Sequence, residues 1–375
     1  MTATATAPAP RRSDVRFRPV RIGIIGTGGI SRSAHLPAYS DLDTAEIAAI
    51  CDVSSENLQV AGEKFNVAPE NRYSDYRDLL ARDDIDAIDI CTPNQVRLEP
   101  LLAACEAGKH VLVQKPMARS IEEANQMIAA AKTAGVKMGV IYMGRFSPGA
   151  ALVERLMQSG AIGKVTALRE KTGHSGGLRL PETSWRRSFD NVAGSFSLLC
   201  AHTADRFRML AGPGKSICAI GKTLVVPMTG DDNFSATLEF ASGNLGTMES
   251  CYHMIPSDNI LEAYGDRGTI HTSSNSRTYR VQSLDGDSFA WGDHLNGLVP
   301  EMRDDGWWYF DIEQVRAAKL REFPNYFAHW VDCVQNDRQP VSTGEEGRAS
   351  LEIVLAGYQS SAERRFVDLQ WQTWS

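Results

Sequence analysis

An apolar run that ends in a glycine turn sets the strongest constraint on the fold. Arg21-Ile22-Gly23-Ile24-Ile25-Gly26 reads as a buried strand, and the residues from Gly26 to Ser31 spell G-x-G-x-x-S, a dinucleotide fingerprint whose third small position is Ser instead of Gly or Ala. Gly26 permits the tight turn. Gly28 lets the backbone approach a pyrophosphate, which then rests beside Gly29 and Ile30 on the amide groups that open a helix. Asp52 closes the next predicted strand, where a ribose-binding acid belongs. Its carboxylate can accept both hydroxyls of an adenosine ribose and repels a 2′-phosphate, so the expected cofactor is NAD rather than NADP. Without that context, the same glycines make an ordinary turn and Asp52 a helix cap.

The pattern downstream supports the nucleotide reading. Apolar runs at Glu46 to Cys51, Ile85 to Cys91, His110 to Val113 and Lys137 to Ile141 alternate with helical periods at Glu56 to Phe65, Pro100 to Glu106 and Ile121 to Ala134. Strands alternating with helices predict a doubly wound parallel sheet of Rossmann type over residues 21–143. From residue 144 to 375 the rhythm changes. A helix, Gly149 to Gln158, leads into β-rich runs at Val165 to Lys171, Ser216 to Val225, Asn233 to Phe240, Gly246 to His253 and Asn259 to Tyr264, and Glu345 to Arg364 forms a last helix. Turn signals between consecutive strands predict an α+β domain with a large, mostly antiparallel open sheet.

Two further segments carry a resemblance. Asp86-Ala87-Ile88-Asp89-Ile90-Cys91-Thr92-Pro93-Asn94 and Ala107-Gly108-Lys109-His110-Val111-Leu112-Val113-Gln114-Lys115-Pro116 together resemble the Gfo/Idh/MocA family of nicotinamide-dependent oxidoreductases, and the likeness runs from about Arg21 to Leu369. It implies a cofactor-binding Rossmann domain followed by a substrate domain, sugar or cyclitol substrates, and homo-oligomers assembled through the second sheet. In the family's E-K-P signature the lysine lies beside the nicotinamide and the substrate hydroxyl; here it falls on Lys115, with Gln114 in place of Glu. The T-P-N-x-x-H run reads Thr92 to Arg97, with Arg97 in place of His, and implies that Thr92 and Asn94 border the nicotinamide ribose.

Ala193 to Asp205 resembles the helix that carries the family's D-x-x-x-H and a following Asp. His202 and Asp205 match, but Leu198 stands where the first carboxylate belongs. The resemblance implies Lys115 and His202 as the catalytic pair: the ammonium stabilises a developing alkoxide, and an imidazole takes a hydroxyl proton. Asp205 reads as an architectural hydrogen-bond acceptor. Candidates for the substrate pocket are Tyr142, Arg145, Lys171, His174, Trp185, Arg186 and His202, because aromatic faces stack on sugar C–H groups and Arg donates to hydroxyls. The aromatic stretch from Asp285 to Phe310 reads as a cover for the site, a subunit contact, or one side of the sheet. A sensor that binds NAD without turnover, and an enzyme that recycles tightly held NAD, are the rival readings.

Composition excludes other classes. A net charge of −7 leaves no global positive field for nucleic acid. No apolar stretch is long enough to span a membrane. Seven cysteines form no C-x-x-C pair and read as reduced thiols, which fits a cytoplasmic protein. His174, His202 and His294 lie at no metal-ligand spacing, so no metal is expected. Residues 1–20 read as a disordered tail; Arg11-Arg12 is reminiscent of a twin-arginine leader, but Arg16, Arg18 and Arg21 interrupt the apolar region such a leader needs.

Overall fold

The computed structural model describes residues 18–274 and 277–370. The expected tail lies almost wholly outside them. A six-stranded, all-parallel sheet is built from β1 (Val20–Ile25), β2 (Ala45–Cys51), β3 (Arg72–Tyr73), β4 (Ala87–Ile90), β5 (His110–Gln114) and β6 (Met138–Ile141), in the order β3-β2-β1-β4-β5-β6. This is the doubly wound order that reverses between β1 and β4, and the crevice at that reversal is where such sheets bind ligands. Every residue of β4 is buried, as expected of a strand covered on both faces. One of them is Asp89, a carboxylate that needs a partner at that depth.

The second sheet has ten strands: β7 (Val165–Gly173), β8 (Gly214–Lys222), β9 (Asn233–Phe240), β10 (Leu245–Cys251), β11 (Ile260–Gly265), β12 (Gly268–Ser273), β13 (Thr278–Ser283), β14 (Glu301–Met302), β15 (Trp308–Phe310) and β16 (Val367–Asp368). Their order is β14-β15-β13-β12-β11-β7-β10-β9-β8-β16, antiparallel throughout except where β7 meets β10. The helices Ala201–Ala211 and Gly344–Glu363 cover one face.

Two differences from the sequence expectation, and the choice among the readings of the aromatic segment, have local causes. The strand expected to reach Val225 stops at Lys222, because the backbone N–H groups of Leu224, Val225 and Val226 all turn to the Asp232 carboxylate, at 2.9, 2.6 and 2.6 Å. The aromatic segment before Phe310 packs on the sheet: the Trp291 ring lies 5.7 Å from Trp308 and 6.1 Å from Phe310. Finally, the helix Tyr326–Gln335, on the far side of the second sheet in sequence, returns to the first unit. Tyr326, Phe327, Trp330 and Val331 share a core with Ile22, Ile24, Leu112 and Ile141, so covalent order alone does not separate the two units.

Candidate active site

The glycine turn closes because Gly26 adopts φ +95°, and any Cβ there would lie 2.9 Å from the Cys91 carbonyl carbon and the Thr92 nitrogen. By contrast, nothing lies within 4 Å of where a Cβ would stand on Gly28 or Gly29. Their backbone faces open space on the rim of a cavity of about 420 Å³, a volume suited to a small ligand. Asp52 ties this turn to the next strand: Thr27 N–H donates to Oδ2 at 2.7 Å and Ser54 N–H to Oδ1 at 2.9 Å.

The same cavity is lined by Gly28, Gly29 and Ile30 from the turn, by Thr92, Gln114 and Lys115 from the ends of β4 and β5, and by His174, Trp185, Arg186 and His202 from the second unit. Arg97 fixes two of these strand ends. Its guanidinium is buried and donates to the Gln114 carbonyl at 2.7 Å, the Thr92 carbonyl at 2.5 Å and the Pro116 carbonyl. A charged group that saturates three carbonyls anchors the loop holding Lys115 more firmly than the histidine the resemblance leads one to expect. Asn94 reaches across to the second unit, its Nδ2 donating to the Asn191 carbonyl at 2.5 Å, and leaves Oδ1 buried without a partner. Thr92 Oγ1 is buried and unpartnered as well. Open backbone at Gly28 and Gly29 with an unsatisfied hydroxyl at Thr92, all on the cavity wall, is a pattern that a dinucleotide would complete, whereas Asn94, expected beside the nicotinamide ribose, does not line the cavity.

Lys115 Nζ donates to the Leu198 carbonyl at 2.6 Å, which holds it against the turn preceding the His202 helix. Burial, then the charges of Arg186 and Arg97, bring its pKa down to about 8. His202 is held neutral: burial, then Lys115 and Arg206, push its pKa well below the usual imidazole value. Its Nδ1 is buried without a hydrogen-bond partner, and the Tyr142 ring meets it edge-on at 6.0 Å. Among the described residues no Asp or Glu lines the cavity in place of the carboxylate missing at Leu198. His174 stacks on Tyr252 at 5.4 Å, and its Nδ1 accepts from Gly176 N–H at 2.9 Å, which puts the ring proton on Nε2. The Arg186 guanidinium lies 5.4 Å over the Trp185 ring.

Three expected pocket residues lie elsewhere. Arg145 is buried and clamped by Asp205, at 2.8 and 2.6 Å, with a further bond to the Val341 carbonyl at 2.7 Å. Asp205 is therefore the architectural acceptor the sequence suggested. Tyr142 is buried behind His202 and supports it without lining the cavity. Lys171 is on the wrong face of β7. Glu170 points inward to Thr203 and Arg206, whereas Arg169 pairs outward with Glu249 and Glu262, and Lys171 shares the parity of Arg169.

Sequence reasoning missed a buried array behind Gln114. His35 Nδ1 lies 2.8 Å from Asp89 Oδ2, His35 Nε2 lies 2.9 Å from Gln114 Nε2, and Gln114 Oε1 accepts from Lys115 N–H at 2.8 Å. Cys91 Sγ lies 3.4 Å from His35 Nδ1. The three ligand-type atoms of His35, Asp89 and Cys91 gather within 4.8 Å of one another, a cluster that no sequence spacing announces. Burial lowers the His35 pKa, but on the charges of Asp89 and Cys91 alone it would still be raised to about 10. Gln114 opposes that protonation. A backbone N–H must meet the amide oxygen, so the amide NH₂ faces His35, and a doubly protonated ring would set donor against donor. The hydrogen-bond register therefore selects the neutral ring with its proton on Nδ1.

Both glycine-turn and lysine elements sit where the sequence comparisons align. Residues 20–142 match the oxidoreductase family with an NAD-binding Rossmann fold (GFO_IDH_MocA), and residues 154–369 match its C-terminal alpha/beta domain. The chain belongs to the Gfo/Idh/MocA oxidoreductase family. As a member it is an oxidoreductase whose Rossmann domain binds NAD. Among its relatives is D-apiose dehydrogenase of Paraburkholderia graminis, 28% identical over 99% of this chain and 95% of the relative. Myo-inositol 2-dehydrogenase of Thermotoga maritima is 27% identical over 94% of this chain and 99% of its own. The WlbA dehydrogenase of Bordetella pertussis, crystallised with NADH and UDP-GlcNAcA, superposes with a TM-score of 0.77 at 25% identity, covering 95% of this chain and all of that one.

Proposed function

We propose that this oxidoreductase converts a secondary hydroxyl of a sugar, cyclitol or glycoside to a ketone, or runs the reverse, with Lys115 as the group that exchanges the hydroxyl proton. The observation that carries this reading is the convergence of Lys115, His202 and the Gly28–Ile30 turn on one cavity. When bound, the nicotinamide supplies the hydride acceptor or donor. Lys115 supplies the proton chemistry. Near its pKa of about 8 the amine and ammonium forms are both populated, so it can take a proton in oxidation and return one in reduction. His202, neutral throughout that range, accepts a hydrogen bond or relays the proton. The sugar-acting relatives support the substrate class.

NAD incubated with a panel of polyols should give the absorbance of reduced nicotinamide, and Lys115→Ala should abolish it. Unchanged turnover in that variant refutes the assignment. Asp52 supports NAD over NADP: Asp52→Ala should weaken NAD binding about tenfold relative to NADP, through loss of charge-assisted hydrogen bonds, and an unchanged affinity ratio removes Asp52 as the selector. All seven cysteines are free, which supports a reducing, cytoplasmic setting. Among the described residues no helix is long and apolar enough to cross a membrane. The broad outer face of the ten-stranded sheet supports assembly as a homo-oligomer.

A further inference from the structure

The chain is acidic overall, with a net charge of −7, yet its cavity carries the opposite sign. Arg97, Lys115 and Arg186 line it together with His174 and His202, and no Asp or Glu does so among the described residues. Asp89 and Glu123 act on Arg97 from behind and offset part of its charge, but the direct partners of the three cations are uncharged. Arg97 is bonded to carbonyl oxygens and Lys115 to the Leu198 carbonyl, and Arg186 rests on the Trp185 ring. The buried carboxylates of the second unit are engaged elsewhere: Glu170 by Arg206 and Thr203, Asp205 by Arg145, and Asp231 by Ser195 and Tyr358. The charges acting on Lys115, His174 and His202 are positive in each case, and all three groups lose proton affinity. A bound NAD brings a cationic nicotinamide when oxidised and an anionic pyrophosphate that belongs at the Gly28–Ile30 turn, so the charge left for the substrate to meet is that of Lys115 and Arg186. A neutral polyol would leave it uncompensated, whereas an anion would relieve it.

Resting on the oxidoreductase reading above, we infer that the substrate is an anionic sugar derivative, bearing a carboxylate or a phosphate ester, whose charged group meets Arg186 while its hydroxyl faces Lys115 and His202. Arg186 suits the task. It is exposed at the cavity rim and already stacked, and a guanidinium so oriented can grip a planar anion with two parallel N–H donors. The aromatic faces of Trp185 and Tyr252 then border the sugar ring.

Matched sugars that differ only in charge test this: a neutral aldose, its uronate or aldonate, and its phosphate ester, across several configurations. Reduction of NAD is followed by absorbance, and binding to the NADH-loaded protein by calorimetry. A charged member should exceed its neutral counterpart by about tenfold or more in kcat/KM or affinity at low salt, a ratio that shrinks as salt is added. Preference for the uronate identifies a carboxylate, and preference for the ester a phosphate. Arg186→Gln should bring the ratio close to one, and Leu198→Asp, which places a carboxylate in the cavity, should lower it also. Equal or better performance of the neutral member in every configuration overturns the inference, as does a ratio unmoved by Arg186→Gln. If no sugar reduces NAD, the oxidoreductase reading fails for these substrates, and the calorimetric comparison still decides the charge preference.

Discussion

Replacing Leu198 by Asp restores a carboxylate where the family resemblance places one, and its effect on Lys115 can be worked out beforehand. Lys115 Nζ lies 2.6 Å from the Leu198 carbonyl oxygen, and the Leu198 side chain lines the same cavity. At about 6 Å and an effective dielectric of about 20 to 40, the new carboxylate and the ammonium attract by about 1.4 to 2.8 kcal/mol, or about one to two pKa units. The attraction favours the charged lysine, so its pKa rises. Oxidation uses the neutral amine; its kcat/KM in the parent enzyme should therefore climb with pH through about 8, and in the variant through about 9 to 10. Ketone reduction uses the ammonium and should persist to correspondingly higher pH. The assay is initial-rate NADH formation across this range with one sugar substrate for both proteins. His202 titrates well below this window, so the limb reports Lys115. A limb that stays near 8 in Leu198→Asp shows that another group carries the proton, and the mechanism proposed for Lys115 is then wrong.

Two further outcomes follow from the buried polar groups. Asp205→Asn leaves the Arg145 guanidinium buried without its bidentate partner and should lower unfolding free energy by about 3 kcal/mol in denaturant titration; a loss near zero would show that Arg145 is satisfied by Val341 and Glu346 alone. Gln114→Glu replaces the amide NH₂ facing His35 by a carboxylate oxygen, which removes the donor conflict and should convert His35 to the doubly protonated ring between two acids. Nitrogen chemical shifts of the ring near pH 7 read this directly, and a singly protonated ring in the variant refutes the register argument.

Much of the scaffold was legible because it rests on periodicity and on residues with narrow backbone tolerance. The alternation of buried runs and helical periods gave the parallel sheet, and the turn at Gly26 could be placed because a Cβ cannot fit there. Lys115 and His202 were singled out through motif resemblance, and the fold brings both to one cavity. Tyr142 and Arg145 were placed in the pocket because they follow a strand that ends near it, but proximity in sequence does not say which way a side chain turns; burial took one behind His202 and the other to Asp205. Lys171 was misplaced by a single step of strand parity. Two π-helical turns, Ser31–His35 and Phe196–Cys200, re-aim the residues that follow them, and each lies at the site. No propensity in those segments marks them.

The sequence by itself determined the two sheets, the glycine turn, the acid at its side and the lysine at the end of the fifth strand, since each depends on local spacing or on a steric limit of one residue. Only the tertiary structure decided the array from Asp89 through His35 to Gln114, the Arg97 anchor and the sign of charge in the cavity. Those depend on distances between groups far apart in the chain. Electrostatic and hydrogen-bond energies fall off through space, and a carboxylate such as Asp205 or Glu170 counts for the cavity only if folding leaves it facing there.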